Sequence, residues 1–78
     1  MKFTQYFLHT QERRDRKSIK KEWIARTVDS PDAEQVQRDG RIRRWRKIEE
    51  ADDRCLRVVL LEDGETVHNA FFDRRFKE

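Results

Sequence analysis

Residues 55–72 read Cys-Leu-Arg-Val-Val-Leu-Leu-Glu-Asp-Gly-Glu-Thr-Val-His-Asn-Ala-Phe-Phe, and the fold turns on this stretch. β-Branched and aromatic residues on either side of Asp63-Gly64 predict two antiparallel strands, 55–62 and 66–72. The first carries apolar residues on both alternation phases, so it is expected to lie centrally. Upstream, Asp39-Gly40 separates 34–38 from 41–48 and predicts a hairpin of the same kind. The acidic stretch Glu49-Glu50-Ala51-Asp52-Asp53 then reads as a solvated loop, and four strands form an antiparallel meander.

Ser30-Pro31-Asp32 separates this sheet half from a helical one, because proline stops helix propagation. Thr4 can cap a first helix with Tyr6, Phe7 and Leu8 as its apolar surface, ending between 14 and 17. Ser18 can cap a second, in which Ile19, Trp23, Ile24 and Val28 share one stripe. The expected fold class is α+β: two N-terminal helices packed on a four-stranded antiparallel sheet. It forms a single domain over 1–78, helical at 4–29, sheet at 34–72 and a charged tail at 73–78. The expected core is Phe7, Leu8, Ile19, Trp23, Val28, Ile42, Ile48, Leu56, Val58, Leu60, Val67 and Phe71.

Length and composition bound the rest. Of 78 residues, 45% are charged, yet 19 basic and 16 acidic side chains leave a net charge of only +3. Leu, Ile, Val and Phe make up 18 of 78, just above the level of roughly 20% below which a chain stays disordered. A core of about a dozen side chains is marginal at this length, which favours association with a second copy. No apolar run approaches the roughly 20 residues needed to cross a bilayer. The first residues lack the apolar segment of a secretory signal, so the cytoplasm is the expected compartment. One cysteine, Cys55, forms no intrachain disulfide or cysteine zinc site and reads as a small core residue. His9 and His68 stand far apart without flanking ligands, so no metal is expected. Gly40 and Gly64 are the only glycines, which leaves no phosphate-cradling loop and no expected nucleotide cofactor.

The small net charge conceals segregation. Arg13, Arg14, Arg16, Lys17, Lys20 and Lys21 crowd the helix junction, and Arg38, Arg41, Arg43, Arg44, Arg46 and Lys47 surround Trp45 on the first hairpin. Alternation places Arg41, Arg43, Trp45 and Lys47 on one face of a strand and Ile42, Arg44, Arg46 and Ile48 on the other. An indole among guanidinium groups can stack an unpaired base, worth about 1–3 kcal/mol, while the cations hold phosphates. The plainer alternative is that Trp45 covers a core edge and the cations form a solvated face. His9 and His68 are the side chains that titrate near neutrality, so each is a candidate general acid or base on an RNA 2′-hydroxyl. Their plainer roles are an exposed helix position and a strand-pairing residue.

The segment from Leu56 to Arg74, with Asp39-Gly-Arg-Ile-Arg-Arg-Trp45 and Ile19 to Pro31 before it, resembles the domain-of-unknown-function 4258 family of small bacterial proteins. That family is similar to the RelE/ParE toxin superfamily, whose fold is akin to barnase-like ribonucleases. The resemblance implies a nucleic-acid site across the sheet and first helix, with RNA and an antitoxin-like protein as partners. Members often open with Phe-Thr-x-His-Ala-x-x-x-Arg. Aligned on Phe3-Thr4, the histidine position holds Tyr6; aligned on the spacing to Ile19, it holds His9, followed by Arg13. In the second case His9, Arg13 and Lys17 would share a helix face as a phosphate site.

Two main functional readings follow. The first is a toxin-like, metal-independent endoribonuclease or RNA-binding domain with His9 or His68 moving protons. Its phosphate contacts would come from Arg13, Lys17, Arg41, Arg43 and Arg44, beside Trp45. The second is a non-catalytic protein-interaction module that could also be a homo-oligomer.

Overall fold

Strand propensity alone would leave Lys2 and Phe3 unassigned, yet they form an edge of the sheet. The computed structural model describes residues 1–13 and 16–76. In chain order it has β1 (Lys2–Phe3), α1 (Gln5–Thr10), α2 (Lys21–Asp29), β2 (Ala33–Val36), β3 (Ile42–Ile48), a 3₁₀ turn (Glu49–Ala51), β4 (Arg54–Leu60) and β5 (Thr66–Phe72). The sheet has five strands in the order β1-β5-β4-β3-β2. The last four form the expected meander. β1 adds to β5 in parallel, Lys2 opposite Thr66 and Phe3 opposite Val67, so the sheet is mixed and the four-stranded antiparallel expectation is corrected. Two residues are too few to show a period, which is why β1 escapes a reading of the sequence.

Both helices are shorter than their sequences suggest. Thr4 caps α1 as expected, accepting from the Phe7 amide at 3.0 Å. α1 then ends at Thr10, whose buried hydroxyl donates back to the Phe7 carbonyl at 3.0 Å. Beyond it the sequence offers polar residues with nothing to bury, and a helix in water is sustained by such burial. The expected helix end falls partly on residues 14 and 15, outside the described residues. α2 begins at Lys21 with Lys20 as its cap, so Ser18 does not serve. Ile19 instead precedes the cap and is buried in the same cluster as Ile24, the positions of a hydrophobic staple that fixes how the chain enters the helix.

α1 packs on β5, and α2 packs on β3 and β4. Beneath them lies the core: Phe7, Trp23 and Ile24 from the helices meet Ile48, Leu56, Val58, Leu60, Val67 and Ala70 from one face of the sheet. Two expected core residues are displaced. Leu8 is 45% exposed, since α1 buries Phe7 and Thr10 and turns Leu8 away. Phe71 yields its core place to Phe72, which packs against Trp23. The cause is a bulge: Val59 pairs with Asn69 but Leu60 pairs with Val67, leaving His68 as an extra residue. One inserted residue reverses the side-chain phase beyond it.

The turns follow the Asp-Gly pairs. Gln37 and Arg41 pair through backbone, leaving Arg38-Asp39-Gly40 as a three-residue loop that Gly40 closes at φ 94°. Asp63 holds the second turn by accepting from the amides of Glu65 and Thr66 and from the Thr66 hydroxyl. Those bonds favour its ionised form and bring its pKa down to about 2. The acidic loop is anchored as well: Glu50 takes a two-pronged ion pair from Arg26 of α2, at 2.9 and 3.1 Å, which brings its pKa to about 2. Among the described residues no helix is long and apolar enough to cross a membrane.

Candidate nucleic-acid interface

One face of the sheet carries α1 and α2; among the described residues the other carries no helix. Alternation along β3 delivers Arg43, Trp45 and Lys47 to the helix-free face, as their partners require. In register across the strands, Ala33, Trp45, Arg57 and Phe71 form one rung, and Gln35, Arg43, Val59 and Asn69 form the next. The first rung is a cation between two rings. The Arg57 guanidinium carbon lies 5.7 Å from the centre of Trp45 and 5.1 Å from that of Phe71, both within cation–π range. Arg16, from the helix junction, also lies over the Phe71 ring at 5.2 Å and donates to the Asn69 side chain at 2.7 Å. Beside it, Arg16, Ser18, Arg54, Phe71, Phe72 and Arg74 line a single cleft.

Burial among these groups and the nearby Arg43 charge lower the pKa of Arg57, with Asp73 opposing the shift from 3.6 Å. The guanidinium keeps its charge in any case, because arginine titrates far above neutrality. Carboxylates reach this face at its margins: Asp73 beside Trp45 and Arg57, Asp39 beside Arg41, and Asp32, which accepts from the Lys47 amide.

The bulge places His68 in the same region. Its ring stacks on Tyr6 of α1, centroids 4.8 Å apart, and Nδ1 lies 3.1 Å from the hydroxyl of Thr4. Burial lowers its pKa from the ordinary value, and the Arg41 charge lowers it further. Both effects favour the neutral imidazole, the form a general base requires. The shift also has a consequence for stability. A histidine whose folded pKa lies below its unfolded one favours the unfolded chain as soon as protons begin to bind, so stability declines as pH falls through about 6.5. Thermal unfolding of His68→Gln between about pH 7.5 and pH 5.5 should show a shallower decline than the parent; equal declines would show that His68 is not responsible.

The other expected site residues are distributed unevenly. Arg43 reaches the face with Trp45, and Gln37 presents its amide oxygen to Arg43 in the orientation that satisfies both groups, while Arg41 stands just before β3, beside Asp39. His9 lies exposed in the last turn of α1, and Arg13 and Lys17 are exposed in the turns that follow. Because α1 stops at Thr10, the helix face shared by His9, Arg13 and Lys17 does not form. Arg44 stands on the helix side, where it donates to the Val28 carbonyl at 2.9 Å and to Glu34 at 2.7 Å. With Arg46, which donates to the Ser30 carbonyl, it closes the C-terminal end of α2, where cations are favoured. Arg57 and Phe71 were missed by sequence reasoning as site residues, whereas Tyr6 enters it only as one of two alternatives for the family's histidine position. The usable signal for Arg57 was its charge within the most apolar strand, on the phase opposite Leu56 and Val58.

Among the described residues no cluster of His, Cys, Asp and Glu is placed to hold a metal ion. No family model, curated protein or solved structure matches the chain.

Proposed function

We propose that this protein binds single-stranded RNA across the helix-free face of its sheet and acts as a toxin-like, metal-independent endoribonuclease of the RelE/ParE kind. The observation that carries the reading is the Trp45–Arg57–Phe71 rung with Arg43 beside it. It joins flat rings for unpaired bases to cations for phosphates on a surface without helices. His68 is the proton-transfer candidate: burial favours its neutral form, Thr4 and Tyr6 orient it, and it is close enough to Arg41 to feel its charge. In the reaction it would accept the proton of a 2′-hydroxyl as that oxygen attacks the adjacent phosphorus. Arg41 would then face the negative charge that develops on the phosphorane oxygens, and the P–O5′ bond breaks as the 5′-oxygen takes a proton from water, leaving a 2′,3′-cyclic phosphate and a 5′-hydroxyl end. His9 stands exposed in the last turn of α1, without a corresponding ring or hydroxyl contact among the described residues.

The test is cleavage of single-stranded RNA by purified protein in EDTA. His68→Ala should reduce the rate by about 10²–10⁴-fold, the usual contribution of a positioned acid or base, while His9→Ala leaves it near the parent's. Salt-dependent binding with no cleavage would leave an RNA-binding domain, and absence of both would remove the reading.

A protein-interaction role has one observation in its favour. β2 is a four-residue edge strand whose Val36 is 64% exposed, an edge on which a strand of an antitoxin-like partner or of a second copy could pair.

A further inference from the structure

The segment after β5 turns back onto the sheet. Phe76 lays its ring on the indole of Trp45, with centroids 4.7 Å apart and planes 12° from parallel. Asp73 accepts from Trp45 Nε1 at 3.1 Å, and its carboxylate lies 3.6 Å from Arg57. The reversal is local: the Arg75 amide donates to Asp73 Oδ1 at 3.0 Å, an Asx turn that needs no support from the rest of the fold. Trp45 is left only 7% exposed although no helix covers its face.

A flat ring stacked on an indole and an anionic oxygen set against a guanidinium are the two things an unpaired nucleotide offers, as base and phosphate. We propose that Trp45 and Arg57 form a nucleotide subsite that Phe76 and Asp73 of the same chain occupy when RNA is absent, and that RNA binding displaces them. The inference rests on the RNA-binding reading above. Two features support exchange over permanent packing. Arg57 Nε is buried and has no hydrogen-bond partner among the described residues, so the guanidinium keeps a donor for a phosphate. The Asp73 amide donates to the Cys55 carbonyl at 2.8 Å, which holds the backbone at the end of the strand ladder. Among the described residues, displacement therefore requires only the Asp73 side chain and residues 74–76 to move. A site filled by its own chain binds RNA with an affinity reduced by the fraction of molecules in which it is open.

Phe76→Ala should accordingly tighten binding of a fluorescein-labelled single-stranded oligouridylate by about two- to tenfold, the worth of one aromatic pair. Asp73→Asn keeps an acceptor for Trp45 Nε1 and removes the charge opposite Arg57, so it should tighten binding as well, more at low salt than at high. Fluorescence anisotropy reads the affinities, and circular dichroism shows that each variant is folded. If the parent protein binds and neither variant binds more tightly, the subsite inference is overturned and RNA binding stands. If the parent and both variants fail to bind at low salt, the RNA-binding reading is overturned and the inference falls with it. Should Phe76→Ala lose its folded spectrum, Asp73→Asn decides.

Discussion

Arg57→Glu is expected to weaken binding of single-stranded RNA by at least about a hundredfold. A hydrogen bond to a charged group contributes about 1.5–3 kcal/mol, and the substituted carboxylate adds repulsion of the phosphate. Arg57 lies between Trp45 and Phe71 in the centre of the face, so its loss also removes the cation shared by both rings. Glutamate would face Asp73 as well, so Arg57→Met is the companion variant: it preserves volume and should cost about tenfold. The control is Arg44→Met. That arginine closes α2 from the helix side of the sheet, so its removal should lower the unfolding midpoint and leave RNA affinity unchanged. Anisotropy titrations on the three variants check the assignment of faces. Equal losses for Arg57→Met and Arg44→Met would show that the helix-free face has no special role.

Phe7→Ala is expected to remove a large share of the protein's stability. Truncating a buried phenylalanine costs about 3–5 kcal/mol, and a domain of this size has about 4–12 kcal/mol of stability in all. Phe7 is 1% exposed and stacks on Phe3 at 4.9 Å, so the same cavity loosens both α1 and β1 from the sheet. The neighbouring Leu8 gives the contrast. It is an apolar residue of the same helix, yet its exposure predicts a change within about 0.5 kcal/mol on Leu8→Ala. Urea unfolding followed by circular dichroism measures both. Similar costs for the two variants would contradict the packing of α1 described here.

The contrast between Phe7 and Leu8 marks where sequence reading stopped. Both are large, apolar and adjacent, and a helix of six residues is too short for its period to show which of them faces the sheet. α2 is longer, and its Trp23 and Ile24 were read correctly as the apolar stripe. The candidate site divides the same way. Arg43 and Trp45 were placed on one face by simple alternation along β3. Phe71 was not, because the bulge at His68 shifts the phase of β5, and Arg57 was hidden within a strand that reads as core.

The sequence by itself determined the α+β class, the order of helices before sheet, the two Asp-Gly turns and the meander from β2 to β5. These features depend on residues close together in the chain, whose periods and turn preferences act locally. Tertiary structure decided the parallel pairing of β1 with β5, the use of Arg44 to close α2, and the return of Phe76 onto Trp45. Each joins residues from separate elements, and the gain lies in burial, register or charge that exists only after the sheet has formed. For the same reason the 19 basic side chains did not announce an interface by their number. The sheet sorts them, sending Arg44 and Arg46 to a helix end and setting Arg43 and Arg57 on the face that carries Trp45.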